Sequence, residues 1–187
     1  MKAFAFVFLF IALSTTVNSQ PSSRNKQYKF SMKEPPGWIK SFVGEPFFRN
    51  DPSYFERIIT FQRYNSINRK GLNPTIEVTA QHFGANNTRF MKRFLKPSYW
   101  KKYNHRNFKI IKGPEQAIIN GKVAITCTVM GKLRGHGVID TATYTRKTSY
   151  YVHVDKHIFK IIFTDNEHES YPTLFNMLTN SIKIDQL

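Results

Sequence analysis

Between Phe108 and Thr164 the chain alternates apolar and polar side chains so persistently that most of this stretch can only be β-strand. The segment 122–132 shows the period best, with Val123, Ile125, Cys127 and Val129 on one face. Strands are predicted at 108–112, 116–119, 122–132, 138–147, 149–154 and 157–164, the last two joined through an Asp155-Lys156 turn. Connections this short join antiparallel neighbours, because a parallel pair needs a crossover of about a dozen residues or more. The expected unit is an antiparallel meander.

Upstream, Tyr28, Phe30 and Met32 alternate with Lys29, Ser31 and Lys33 as a half-buried strand. Glu34-Pro35-Pro36-Gly37-Trp38 ends it in a type II turn, with proline then glycine at the central positions. Residues 39–55 mix Gly, Pro, Asn and Asp with aromatics and read as a packed loop. Residues 57–64 and 75–83 form a hairpin across a turn at 65–74. In its second arm Ile76, Val78, Ala80 and His82 face the core, and Thr75, Glu77, Thr79 and Gln81 face water.

Two segments carry the helical period. Asn87 or Thr88 caps a helix in which Phe90, Met91, Phe94 and Leu95 share a face opposite Arg89, Lys92, Arg93 and Lys96, and Pro97 ends or kinks it. Near the other terminus Tyr171, Leu174, Phe175, Leu178 and Ile182 form one stripe, with Pro172 at the start, where its missing N–H costs nothing. Helices early and late around a run of strands make the fold class α+β, a mainly antiparallel β-sheet covered by helices.

An export signal precedes the fold. Lys2 is followed by an apolar run from Ala3 to Leu13 and a polar stretch from Ser14 to Ser19, in which Val17 and Ser19 suit the −3 and −1 positions of a signal peptidase. Residues 1–19 are read as a signal peptide, 20–27 as a flexible basic arm and 28–187 as a single domain, secreted or periplasmic. The apolar run is well short of the roughly 20 residues that span a bilayer. Cys127 is the single cysteine, so stability rests on a conventional core without an internal disulfide, and it lies far from the cleavage point, where a lipid-carrying cysteine would have to follow directly.

The chain holds 28 Lys+Arg against 12 Asp+Glu, a net charge of +16, with 41% hydrophobic residues. That composition is globular and attracts anions. The densest cations, Arg89, Lys92, Arg93, Lys96, Lys101, Lys102 and Arg106, occupy a stretch without an acid. Helical spacing assigns Phe90, Met91, Phe94 and Leu95 to the core. It leaves Tyr99, Trp100 and Tyr103 for stacking on a base or anchoring in a membrane interface. The candidate binding residues are therefore Arg89, Lys92, Arg93, Lys96, Tyr99, Trp100, Lys101, Lys102 and Arg106.

Other constellations carry less. His153, Asp155 and His157 have metal-ligand spacing only on an unbroken strand, and the Asp155-Lys156 turn interrupts it. Asp165, Glu167, His168 and Glu169 read as a solvated turn. His82 and Cys127 both fall on expected core faces but lack an activating motif. His82, His105, His136, His153, His157 and His168 offer an acid and a base to a secreted ribonuclease, with no motif to select two of them.

From about residue 28 to 184 the sequence resembles the PsbP-like family, the α/β/α sandwich of the photosystem II extrinsic protein and of secreted bacterial proteins including the DcrB-like group. The resemblance is carried by Pro36-Gly37-Trp38 after the opening strand and by Pro74-Thr75-Ile76-Glu77-Val78 as the second hairpin arm. It continues through Ile119-Asn120-Gly121-Lys122 with Ala124, and the final helix and short strand over 171–184 with Ser181. These are turn and packing signals. The chain departs from the family in its basicity and in the segment 99–102. What the resemblance implies is a non-enzymatic module that binds other macromolecules and needs no cofactor. The expected partner is an acidic protein, an envelope polyanion or anionic lipid. Nucleic acid and a peripheral membrane contact are further candidates, and a small secreted hydrolase of nucleic acid is the alternative.

Overall fold

In the computed structural model, which describes residues 20–41, 56–63, 73–103, 108–134, 142–166 and 170–186, strand pairing runs through nearly every segment. A small sheet joins β1 (Ser22–Asn25), β2 (Phe30–Lys33) and β10 (Lys183–Ile184) in the order β1-β2-β10. The main sheet contains β3 (Ile39–Ser41), β4 (Glu56–Gln62), β5 (Thr75–His82), β6 (Phe108–Ile119), β7 (Lys122–Arg134), β8 (Ala142–Val154) and β9 (His157–Asn166). Its order is β3-β4-β5-β9-β8-β7-β6, with antiparallel neighbours throughout. The predicted meander is β6 to β9, and it closes onto the hairpin by pairing β9 with β5 from Thr75↔Thr164 to His82↔His157.

Period-two alternation sorts the core into two clusters. Ile59, Phe61, Ile76, Val78, Ala80, Val152, Phe159, Ile161 and Phe163 face the small sheet and α3 (Pro172–Ser181), where Phe30, Met32, Phe175, Leu178 and Ile182 meet them. Ile125, Cys127, Val129, Tyr151 and Ile158 point the opposite way, towards α1 (Asn87–Phe94) and α2 (Pro97–Tyr103), and pack on Phe90, Phe94 and Trp100. The molecule is thus mostly antiparallel sheet with few helices. The helices meet mainly β6, β7 and β2, so their cover is partial. On the face shared with α1 and α2, the β4-β5-β9 half presents Arg57, Glu77, Thr79 and Lys160.

The structure revises several expected elements. Residues 20–27 are not a loose arm. Ser22–Asn25 pairs with Phe30–Lys33 through its backbone, and the buried Ser23 hydroxyl donates to the Glu34 carboxylate. A strand without apolar side chains leaves no period to read. Ile39–Ser41 likewise pairs with β4 rather than looping, while residues 42–55 lie outside the described residues. The strands expected at 108–112 and 116–119 are one, β6, interrupted by register shifts around Gly113-Pro114. Gly113 has φ +77°, and a Cβ there would lie 2.6 Å from the Thr126 carbonyl oxygen, so the shift requires glycine. The strands expected at 138–147 and 149–154 are also one over Ala142–Val154, with the Thr148 and Thr128 hydroxyls hydrogen-bonded across the ladder at 3.2 Å. The polar run Arg146–Ser149 hid that continuity; residues 138–141 lie outside the described residues.

The turn at Pro36-Gly37 forms as expected, with Trp38 N–H donating to the Pro35 carbonyl at 3.3 Å and Gly37 at φ +74°. The helix cap is Asn86, one residue before the expected pair, and its Oδ1 accepts from Arg89 N–H at 3.0 Å. Pro97 ends α1 and also opens α2. Asp165 is not in a solvated turn: it is 2% exposed near the end of β9, and the Arg146 guanidinium donates to both its oxygens. Residues 167–169 lie outside the described residues.

Candidate functional site

Sequence periodicity places the cations before any tertiary contact does. Phe90 and Phe94, one helical turn apart, are buried at 0% and 1%, which turns Arg89, Lys92, Arg93 and Lys96 to solvent. The helix carries no acid in its first turn and has Lys92 and Arg93 in its last. Arg89 and Arg93 are like charges four residues apart within α1, a spacing that weakens a helix, whereas Lys92 and Arg93 in its last turn complement the helix dipole.

Between α1 and α2 lies an open cleft of about 490 Å³ lined by Arg89, Lys92, Arg93, Lys96, Ser98 and Tyr99. A second hollow of about 410 Å³ adjoins it, bounded by Phe83, Gly84, Ala85, Arg89 and Arg93. Arg93 stands between the two. Its guanidinium lies 5.4 Å from the centre of the Phe94 ring, 5.6 Å from Tyr99 and 6.0 Å from Phe83. Contact with three rings inclined to one another favours a cation at this position.

The structure divides the nine expected binding residues. Arg89, Lys92, Arg93, Lys96 and Lys101 are exposed together on the α1-α2 layer, and Tyr99 is half-buried at the cleft. Trp100 is not a surface contact. It is 3% exposed, its Nε1–H donates to the Phe94 carbonyl at 2.7 Å, and its ring meets Tyr151 edge-on at 4.8 Å. The indole satisfies a carbonyl in the last turn of α1 and fastens α2 to the sheet. The Lys102 side chain and all of Arg106 lie outside the described residues. Ser98 and Phe83 join the site without having been anticipated. Ser98 has no charge to mark it, and Phe83 reads simply as a strand end.

Histidine geometry separates the other candidates. His153 faces α1, its ring stacked on Phe90 at 5.2 Å and Nδ1 hydrogen-bonded to Asn87 Oδ1. His157 faces the opposite side of the sheet, where its ring lies 5.4 Å from His82 and 5.9 Å from Tyr28. The turn thus puts His153 and His157 on opposite faces, and no group of three metal-competent side chains forms among the described residues. His82 was expected in the core but is exposed, because β5 ends there beyond the packed layer. Cys127 is buried beneath the helices on the other face, and its thiol is pushed up to about 11 by burial and by the charge of Glu115. The two do not meet. Thr79, expected to face water, is 5% exposed between Arg57 and Lys160 in the ladder. His105, His136 and His168 lie outside the described residues.

Burial holds His153 below the ordinary histidine value of 6.5, and burial together with the neighbouring His82 does the same for His157. Acidification below 6.5 protonates these rings first in the unfolded chain, so the stability they contribute is complete above that value and is lost as pH falls through it. His153→Gln should flatten the dependence of urea-unfolding free energy on pH between 6.5 and 5, removing at most about 1.4 kcal/mol per pH unit. An unchanged pH profile would count against a buried neutral His153.

No protein-family model matches the sequence, and no curated protein matches it either. Among solved structures, the solution structure of cyanobacterial PsbP (CyanoP) from Synechocystis sp. PCC 6803 is similar, with a TM-score of 0.54 at 14% identity, covering 92% of this chain and 96% of that chain. A crystal structure from Bacteroides thetaiotaomicron VPI-5482 is similar at a TM-score of 0.47 and 15% identity; the match covers 89% of this chain and 49% of that chain, so this chain spans about half its length.

Proposed function

We propose that this chain, which has the PsbP-like fold, is an exported non-enzymatic module that engages an acidic partner through α1 and the cleft between α1 and α2. The observation that carries the reading is the set Arg89, Lys92, Arg93 and Lys96, exposed side by side around the cleft. Buried Phe90, Phe94 and Trp100 make their platform rigid. Residues 1–19 act as the export signal in this reading. The α1-α2 pair forms one outer layer of an α/β/α sandwich, and α3 with the small sheet forms the other. Among the described residues no helix is long and apolar enough to cross a membrane.

Binding of the domain to heparin, as a generic polyanion, should weaken steeply with salt, since each neutralised charge contributes about 0.7 to 0.9 to the log–log slope. A flat salt response would contradict the reading. A second reading, hydrolysis of nucleic acid, has one observation in its favour: the His82 and His157 rings are 5.4 Å apart. They sit across the sheet from the α1 cations, so the charge that would gather the substrate is not beside the pair. Loss of a nuclease turnover in His82→Ala or His157→Ala, with heparin affinity unchanged, would favour this second reading.

A further inference from the structure

Two lysines, one on β8 and one on β9, stand on the same face of the sheet as α1 and α2. Register puts Lys160 of β9 opposite Tyr151 of β8 and Thr79 of β5, and its ammonium lies 5.7 Å from the Tyr151 ring centre. Lys147 of β8 stands opposite Val129, with its ammonium 5.2 Å from the Phe108 ring centre. The Tyr151 ring meets Tyr99 edge-on at 6.2 Å, and Arg93 lies over Tyr99. Two adjoining rings therefore separate Arg93 from Lys160. Beyond them Arg57 stands 3.9 Å from Glu77, a carboxylate whose field reaches both lysines. Across β4, β5, β8 and β9 this face thus sets Arg57, Lys147 and Lys160 against Glu77 alone.

We propose that Lys147 and Lys160 continue the α1 site into one track across the sheet, and that its occupant is a linear anionic polysaccharide. This rests on the reading of the α1-α2 face as an acidic-partner site. Both lysines are half-buried, so they are recessed behind the exposed cations of α1. A flat membrane touches what protrudes, whereas a chain can bend into a recess. Of the rings along the track Tyr151 is 2% exposed and Tyr99 and Phe108 are half-buried, which limits the ring face on which bases could stack. Burial holds both lysines below the ordinary lysine value, and an arriving sulfate or carboxylate favours their charged form.

Titration calorimetry with heparin oligosaccharides of four and twelve sugar units tests the track. Wild-type protein should bind the longer chain more tightly per mole. Lys147→Met together with Lys160→Met should remove that length increment and make the salt slope for the long chain shallower by about 1 to 2, leaving the short chain unaffected. Lys147→Arg with Lys160→Arg should restore it, which separates charge from folding. Arg89, Lys92, Arg93 and Lys96 changed to Gln should weaken both lengths. If only the helix variant has an effect, the track is overturned and the α1 reading stands. If neither variant has an effect, both fall. Tighter binding of charge-matched polyphosphate, single-stranded DNA or phosphatidylglycerol vesicles than of the long oligosaccharide would overturn the polysaccharide as occupant.

Discussion

Trp100→Ala should cost about 3 to 5 kcal/mol of folding stability, the range for removing a large buried aromatic side chain. The indole is 3% exposed, packs edge-on against Tyr151 and Tyr99, and donates to the Phe94 carbonyl. Truncation opens a cavity under α2 and leaves a carbonyl in the last turn of α1 without its donor. Trp100→Phe keeps most of the volume and loses that bond, so it should cost about 1 to 3 kcal/mol and leave heparin affinity unchanged. Denaturant unfolding of both variants checks this. If Trp100→Ala were as stable as wild type and bound heparin poorly, Trp100 would be a contact residue after all.

Neutralising α1 should have the opposite signature. Arg89→Gln, Lys92→Gln, Arg93→Gln and Lys96→Gln together remove four exposed cations, among them the like-charge pair Arg89 and Arg93 within α1. The salt slope for heparin should become shallower by about 3, and affinity at roughly 0.1 M salt should fall about 100-fold or more. Folding stability should hold within about 2 kcal/mol, since the four side chains are exposed and the main losses are the Arg93 ring contacts and two cations in the last turn of α1. Unchanged affinity would show that the charge on α1 is solvated surface only.

The contrast between these variants marks what could be read from the chain in advance. Phe90 and Phe94 lie on a helical stripe, so their burial and the outward turn of Arg89, Lys92, Arg93 and Lys96 follow from period alone. Trp100 comes just after Pro97, in a helix too short to show a period, and its burial depends on Tyr151, a residue fifty positions away in the chain. The hairpin of β4 and β5 and the Asp155-Lys156 turn were legible because turn residues punctuate apolar alternation. β1 was not, because its pairing is made by the backbone of Ser22–Asn25. Lys147 and Lys160 escaped notice for a related reason. Neither belongs to a run of charge that marks a surface, and only the pairing of β8 with β9 and of β8 with β7 puts both on the side of Arg93. One local signal did exist: Lys160 interrupts the buried run Ile158, Phe159, Ile161, Phe163.

The basic face is tested most directly by following the backbone amide resonances of the domain during titration with a heparin dodecasaccharide at two salt concentrations. The largest shifts should fall in α1, in the first turn of α2 and at Lys147 and Lys160, all collapsing together at high salt. A separate basic hollow of about 530 Å³, where Arg24, Lys33 and Lys183 line the small sheet and α3, serves as the internal comparison. Shifts concentrated there, or spread evenly over every lysine and arginine, would contradict the basic face as the site.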